Sequence, residues 1–155
     1  MRLYIVRHGE AHASAPSDEL RCLTERGERE VAVLWRQLKA EGIEISEVVA
    51  SPYVRAQQTA AQIAECYPNV SQHTCALITP DDSPENVIEW LASRKGSLDG
   101  WVLVSHMPLV AALTGLITEG IGSRAAFAVG TVACIDLEVP CVGGGRLLWQ
   151  RSPVR

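Results

Sequence analysis

Short apolar runs alternate with helical periodicities along the first 120 residues of this chain. Leu3-Tyr4-Ile5-Val6 is apolar at every position and stops at Arg7, the pattern of a strand buried on both faces. The stretch from Ala11 to Leu23 is small and polar, contains Pro16, and predicts a loop. Thr24 can cap a helix in which Val31, Leu34, Trp35 and Leu38 fall at i, i+3, i+4 and i+7, with Gly42 as its stop. Val48-Val49-Ala50 predicts a second buried strand, closed by Ser51-Pro52, and a helix follows from about Tyr53 through Ala56, Thr59, Ala60 and Ile63 toward Cys66. Residues 68–77 are ambiguous and have room for a short strand. The polar turn at 79–84 predicts a loop whose Ser83 or Asp82 caps a helix containing Val87, Ile88 and Leu91. Trp101-Val102-Leu103-Val104 reads as a third strand ending at Ser105-His106, and Pro108 opens a helix through Val110, Leu113 and Leu116. Val129–Leu137 and Arg146–Gln150, around Gly143-Gly144-Gly145, predict a β-hairpin.

Strand–helix alternation of this kind predicts an α/β fold with a mainly parallel sheet, the terminal hairpin adding an antiparallel C-terminal edge. The 155 residues suit one domain, 1–155, with no repeat, low-complexity tract or linker. A content of 47% hydrophobic residues disfavours intrinsic disorder. A formal charge of −4 disfavours a nucleic-acid binder, which needs an extended basic face. Five cysteines (Cys22, Cys66, Cys75, Cys134 and Cys141) form no CxxC pair, which fits reduced thiols better than a disulfide framework or zinc knuckle. No apolar run approaches the roughly 18–20 residues of a membrane helix. Arg7-His8 also interrupts the N-terminal apolar stretch too early for a signal peptide. The expected setting is cytoplasmic.

The chemically unusual residues sit at strand ends. Arg7-His8 follows the first strand, Arg55 lies just after the second, and His106 follows the third. Ligands of open α/β sheets bind outside the carboxyl ends of the strands, so two arginines and two histidines converge on one rim. Such a set suits an anionic ligand, most simply a phosphoryl group. His12 and His73 occupy no comparable position.

Four blocks then carry a family resemblance: Val6-Arg7-His8-Gly9-Glu10, Leu23-Thr24-Glu25-Arg26-Gly27, Ser51-Pro52-Tyr53-Val54-Arg55-Ala56-Gln57-Gln58-Thr59, and Ser105-His106-Met107-Pro108. In this order they resemble the histidine phosphatase superfamily, with its phosphoglycerate-mutase-like, three-layer α/β/α fold. The length, Arg21 ahead of Leu23-Thr24, and the run 105–110 resemble the small phosphohistidine phosphatases of the SixA type. The resemblance implies that His8 is the nucleophile, transiently phosphorylated on a ring nitrogen, and that Arg7, Arg55 and His106 form the phosphate pocket. It implies neither metal nor cofactor, since arginines do the electrostatic work. Arg21 corresponds to a basic residue that touches phosphate or substrate. Cys22 stands where the family pattern favours proline; it is expected to be a semi-buried spare thiol.

No motif places a general acid. Asp81, Asp82, Glu85, Asp18 and Glu10 are loop or rim candidates, though any one of them reads more readily as solvated surface charge. A missing acid has a chemical meaning, because imidazole leaves phosphorus more readily than an alkoxide does. The expected substrate is therefore a phosphohistidine on a phosphorylated protein, either a phosphotransfer domain or a carrier. The short chain leaves little room for insertions that would roof a small-molecule site. A small-molecule phosphomonoesterase of the same superfamily and a non-catalytic phosphate-binding module are the alternatives. A monomer without membrane or nucleic-acid partners is expected.

Overall fold

The computed structural model describes residues 1–121 and 126–155. Among the described residues six strands form one sheet with two helices on each face. The strands are β1 (Arg2–Arg7), β2 (Glu47–Ala50), β3 (Ser71–Thr74), β4 (Trp101–Ser105), β5 (Val132–Leu137) and β6 (Gly145–Arg151). The helices are α1 (Glu25–Ala40), α2 (Val54–Cys66), α3 (Pro84–Ser93) and α4 (Leu109–Glu119), and a 3-10 turn occupies Asp18–Leu20.

Strand order is β3-β2-β4-β1-β5-β6. β3, β2, β4 and β1 run parallel, whereas β5 pairs antiparallel with β1 and β6 antiparallel with β5. This is the mainly parallel sheet with an antiparallel C-terminal edge that the patterning predicts. The ambiguous stretch holds β3, an exposed edge strand whose polar side chains have no core to enter. The hairpin's first strand begins three residues later than predicted. Gly130 is held out of it because its amide donates to the carbonyls of Arg7 and His8 instead of to a ladder.

Two cores explain the layers. On one face Leu3, Ile5, Val49, Leu103, Ala133 and Ile135 pack against α3 and α4. On the other, Tyr4, Val6, Val48, Ala50, Val102 and Val104 pack against α1 and α2. Successive strand side chains point to opposite faces, so a strand covered on both sides must be apolar throughout. α1 buries Val31, Leu34, Trp35 and Leu38, as its periodicity predicts, and the Thr24 hydroxyl accepts from the Gly27 amide at its N-terminus. α3 is capped by Ser83 rather than Asp82. α2 begins at Val54, with Tyr53 as the residue before it. Among the described residues no helix is long and apolar enough to cross a membrane.

One close approach sets where the first loop lies. A Cβ on Gly9 would meet Val31 Cγ2 at 2.9 Å and the Gly27 carbonyl oxygen at 3.1 Å. A Cβ on Gly27 would run into the Glu10 backbone, within 3.0 Å of its amide nitrogen and carbonyl carbon. The segment after β1 therefore rests directly on the first turn of α1. Backbone meets backbone there, so neither side can yield by a rotamer change. Replacing Gly27 with alanine is expected to cost about 1–3 kcal/mol, read as a lower urea midpoint at constant slope. An unchanged midpoint would show that the contact is not tight in solution.

Candidate active site

Register brings the strand ends together. Arg7 of β1 pairs with Ser105 of β4, so the next residues, His8 and His106, emerge side by side with ring centroids 5.2 Å apart. Ala50 of β2 pairs with Val104, which sets Ser51 beside them. The His8 amide donates to the Ser105 carbonyl and the Ser51 amide to that of Val104, which extends the ladder by one bond on each side. α2 starts four residues after β2 and turns Arg55 back toward the same rim.

His8, Arg55 and His106 are 6%, 4% and 1% exposed. The His8 ring is oriented by its own loop: Nδ1 donates to the Gly9 carbonyl at 2.7 Å, which leaves a lone pair on Nε2. That Nε2 accepts from Arg55 Nε at 3.3 Å. Thr59 joins loop to helix, accepting from the Gly9 amide and donating to the Arg55 carbonyl. His106 Nε2 lies 2.7 Å from the Ser51 hydroxyl. Arg7 donates through one terminal nitrogen to the Phe127 carbonyl at 2.7 Å. Arg7 Nε and His106 Nδ1 are buried without a partner among the described residues.

Arg55 is buried and turned inward from α2. Its Nε faces His8, one terminal nitrogen donates to the Asp18 carbonyl at 2.6 Å, and the other to the Asp18 carboxylate at 3.1 Å. Arg21 reaches the same carboxylate at 3.0 Å and the His12 carbonyl at 2.8 Å. Arg21 thus stands two residues removed from His8, linked to it through Asp18 and Arg55. The Asp18 carboxyl lies below its ordinary value, chiefly because Arg21 donates a hydrogen bond to it, with Arg55 adding to the effect. Three of the other carboxylates named from the sequence are engaged elsewhere. Glu10 bonds Thr24 and Arg155, Asp82 bonds Thr79, and Glu85 bonds Ser83. Among the described residues, no hydrogen bond joins Asp81 to the four central side chains.

Both histidines are neutral near pH 7. Burial pushes His8 down to about 4, and the guanidiniums of Arg55, Arg7 and Arg21 press it further down against the opposing pull of the Gly9 carbonyl. Burial likewise pushes His106 down to about 3, with His8 and Arg55 as the next causes. Three guanidiniums against one carboxylate make the rim locally cationic on a chain of net negative charge. Such a pocket can hold a tetrahedral oxyanion and offer it an unprotonated ring nitrogen. Among the described residues no three His, Cys, Asp or Glu side chains cluster as metal ligands would.

Several features lay outside the sequence pattern. The Ser51 hydroxyl, the Tyr53 ring 5.0 Å from that of His106, and the Phe127 carbonyl become neighbours of the site only through folding. Ser51 and Tyr53 lay within a block already quoted, but nothing in their spacing showed what they touch. Cys22 differs from its expectation: it is exposed, because the turn at 18–20 carries it outward, and its thiol lies 3.5 Å from the Leu20 carbonyl. All five cysteines are free.

The fold agrees with the comparisons, and the chain belongs to the histidine phosphatase superfamily. The family model of that superfamily's branch 1 matches residues 3–75. The chain is 29% identical to the phosphohistidine phosphatase SixA of Escherichia coli over 158 residues, covering 99% of this chain and 94% of that protein. It is 32% identical to a SixA homolog of Haemophilus influenzae over 119 residues, with 71% and 73% covered. A solved structure of the protein histidine phosphatase SixA complexed with tungstate superposes with a TM-score of 0.88 at 30% identity, covering 99% of this chain and 97% of that one.

Two measurements test the electrostatics. Unfolded histidine takes its proton near 6.5, whereas the folded His8 and His106 take theirs near 4 and 3. Between those values the unfolded chain binds more protons, so stability is intact above about pH 6.5 and is lost as pH falls toward 4, by an amount on the order of a few kcal/mol. Urea midpoints that stay level from pH 7 to 4.5 would contradict it. The second measurement concerns Asp18, which occupies both terminal nitrogens of Arg55. Asp18→Asn removes the competing charge and is expected to tighten orthovanadate binding by about threefold or more. Weaker binding would instead mean that Asp18 holds Arg55 in place.

Proposed function

We propose that this protein is a phosphohistidine phosphatase that works through a covalent intermediate on His8, with Arg7, Arg55 and His106 as the phosphoryl pocket. One observation carries the reading. His8 Nδ1 is tied to a carbonyl, so the remaining lone pair on Nε2 faces a guanidinium in a buried, cationic site. A neutral imidazole held in one orientation is a competent nucleophile, and burial keeps it so.

In the first step Nε2 forms a bond to phosphorus as the bond to the leaving nitrogen breaks. Arg55 and Arg7 take the charge on the equatorial oxygens, so Arg55 exchanges the Asp18 carboxylate for the phosphoryl group. The His8 ring becomes an imidazolium, and the Gly9 carbonyl stabilises it through the Nδ1 hydrogen. In the second step water attacks phosphorus, Nε2 departs as a neutral imidazole, and the water protons pass to phosphate and solvent. No proton needs to reach Nε2 for it to leave.

The preference for phosphohistidine rests on the leaving group. Among the described residues Asp18 is the carboxylate hydrogen-bonded to the pocket, and two arginines hold it ionised. An ionised carboxylate cannot protonate an alkoxide, whereas a protonated phosphoimidazole leaves as neutral imidazole without help. The phosphohistidine phosphatases among the relatives support the same substrate class, as does the tungstate complex, since tungstate is a tetrahedral oxyanion like phosphate. The substrate we propose is a phosphorylated protein, either a phosphotransfer domain or a carrier. Arg21, on the outer side of Asp18, is the residue placed to meet it.

The test compares phosphate release from a phosphohistidine protein, free phosphohistidine and a simple alkyl phosphate, with EDTA present throughout. Phosphohistidine is expected to turn over roughly 100-fold faster than the ester, the scale of a missing general acid. Equal rates would overturn the phosphoramidate preference. His8→Ala, folded by circular dichroism, is expected to lose about a thousandfold or more; unchanged turnover would remove the covalent route.

A further inference from the structure

Counting hydrogens around His106 assigns a role to its neighbour. The Ser51 hydroxyl is fully buried at the end of β2 and has two partners, the Tyr53 amide at 3.3 Å and His106 Nε2 at 2.7 Å. A backbone amide only donates, so the hydroxyl oxygen is an acceptor toward Tyr53. The hydroxyl hydrogen then has one acceptor within reach, the Nε2 lone pair of His106. In the opposite arrangement, with Nε2 donating, the hydroxyl hydrogen of this fully buried side chain would be left without a protein acceptor, which folded proteins avoid. Nε2 is therefore the acceptor, and the hydrogen of the neutral ring sits on Nδ1. That Nδ1 is the buried ring atom left without a partner, as expected of a donor kept for a ligand.

We propose that Ser51 is a positioning residue: its hydroxyl locks His106 in the tautomer protonated at Nδ1, so that His106 offers the phosphoryl group a hydrogen-bond donor and no lone pair. The two histidines then have the same tautomer but opposite duties. On His8 the Nδ1 hydrogen is spent on Gly9 and the bare Nε2 faces the site. On His106 the lone pair is spent on Ser51 and the N–H stays free. Had both rings presented lone pairs, His106 would repel the phosphoryl oxygens and compete as a second nucleophile 5.2 Å from the first. His106 in this state donates without carrying a charge, so it does not add a fourth cation to the pocket.

The part of this that concerns the phosphoryl group rests on the proposed activity, but the tautomer does not, and the experiment separates them. Long-range proton–nitrogen spectra of the full chain labelled with 15N-histidine, assigned with His106→Gln, report which ring nitrogen bears the hydrogen. At pH 7 wild-type His106 is expected to show Nδ1 protonated and Nε2 bare. A wild-type spectrum with Nε2 protonated, or with both nitrogens protonated, overturns the proposal whatever the variants do. Ser51→Ala is expected to mix the tautomers and to lower kcat roughly 10- to 100-fold, the effect of a misplaced transition-state donor, with KM little changed. Ser51→Thr, which keeps the hydroxyl, is expected to restore the single tautomer and most of kcat. A Ser51→Ala protein with wild-type tautomer and kcat refutes the assignment. Should Ser51→Ala fail to fold, the wild-type spectrum still decides. Should the protein hydrolyse no phosphohistidine, the spectrum still tests the lock, and the failure belongs to the proposed activity.

Discussion

Parallel pairing of β1 with β4 sets Arg7 opposite Ser105, and on each strand the next residue is a histidine. A one-residue slip in that register would carry one ring to the other face of the sheet and separate the pair. The register is held from both sides. Leu3 and Ile5 are buried toward α3 and α4, while Tyr4 and Val6 are buried toward α1 and α2. Any slip would exchange these sets between two differently shaped cores. The central strands thus act as a ruler whose zero is set by packing, and the position of His8 relative to His106 is read from it.

On that frame the loops determine chemistry by what they donate and accept. The pocket gathers cationic groups, yet its two histidines stay neutral because burial and neighbouring guanidiniums both oppose a further proton. The same guanidiniums keep Asp18 ionised. A single electrostatic environment therefore leaves one residue an unprotonated imidazole and another an ionised carboxylate. The whole-chain charge of −4 says nothing of this, since charge on the far surface is screened within about 10 Å at ordinary salt.

Much of the architecture was legible before folding. Runs such as Leu3–Val6 and Trp101–Val104 are apolar without interruption, which only a strand covered on both faces tolerates, and the spacing of Val31, Leu34, Trp35 and Leu38 declares α1. β3 was legible only as an ambiguous stretch with room for a short strand, because Ser71-Gln72-His73-Thr74 is exposed and carries no hydrophobic signal. Of the site, His8, Arg7, Arg55 and His106 could be named because strand ends converge. The contact between Asp18 and Arg55 joins residues 37 apart through a loop with no periodicity. Ser51 and His106 are 55 apart, and their bond depends on β2 and β4 being neighbours in the sheet.

The amino-acid sequence by itself determined the order of strands and helices, the residue types available for phosphoryl chemistry, and their location at strand termini. Local periodicity and short motifs suffice for that, because they depend on neighbours within one turn or one strand. Only the tertiary structure decided which nitrogen of each histidine is free, which carboxylate sits on Arg55, and whether either can move a proton. Those properties come from burial and from hydrogen bonds between segments dozens of residues apart. A donor or an acceptor has no assignment until its partner has been brought within about 3 Å.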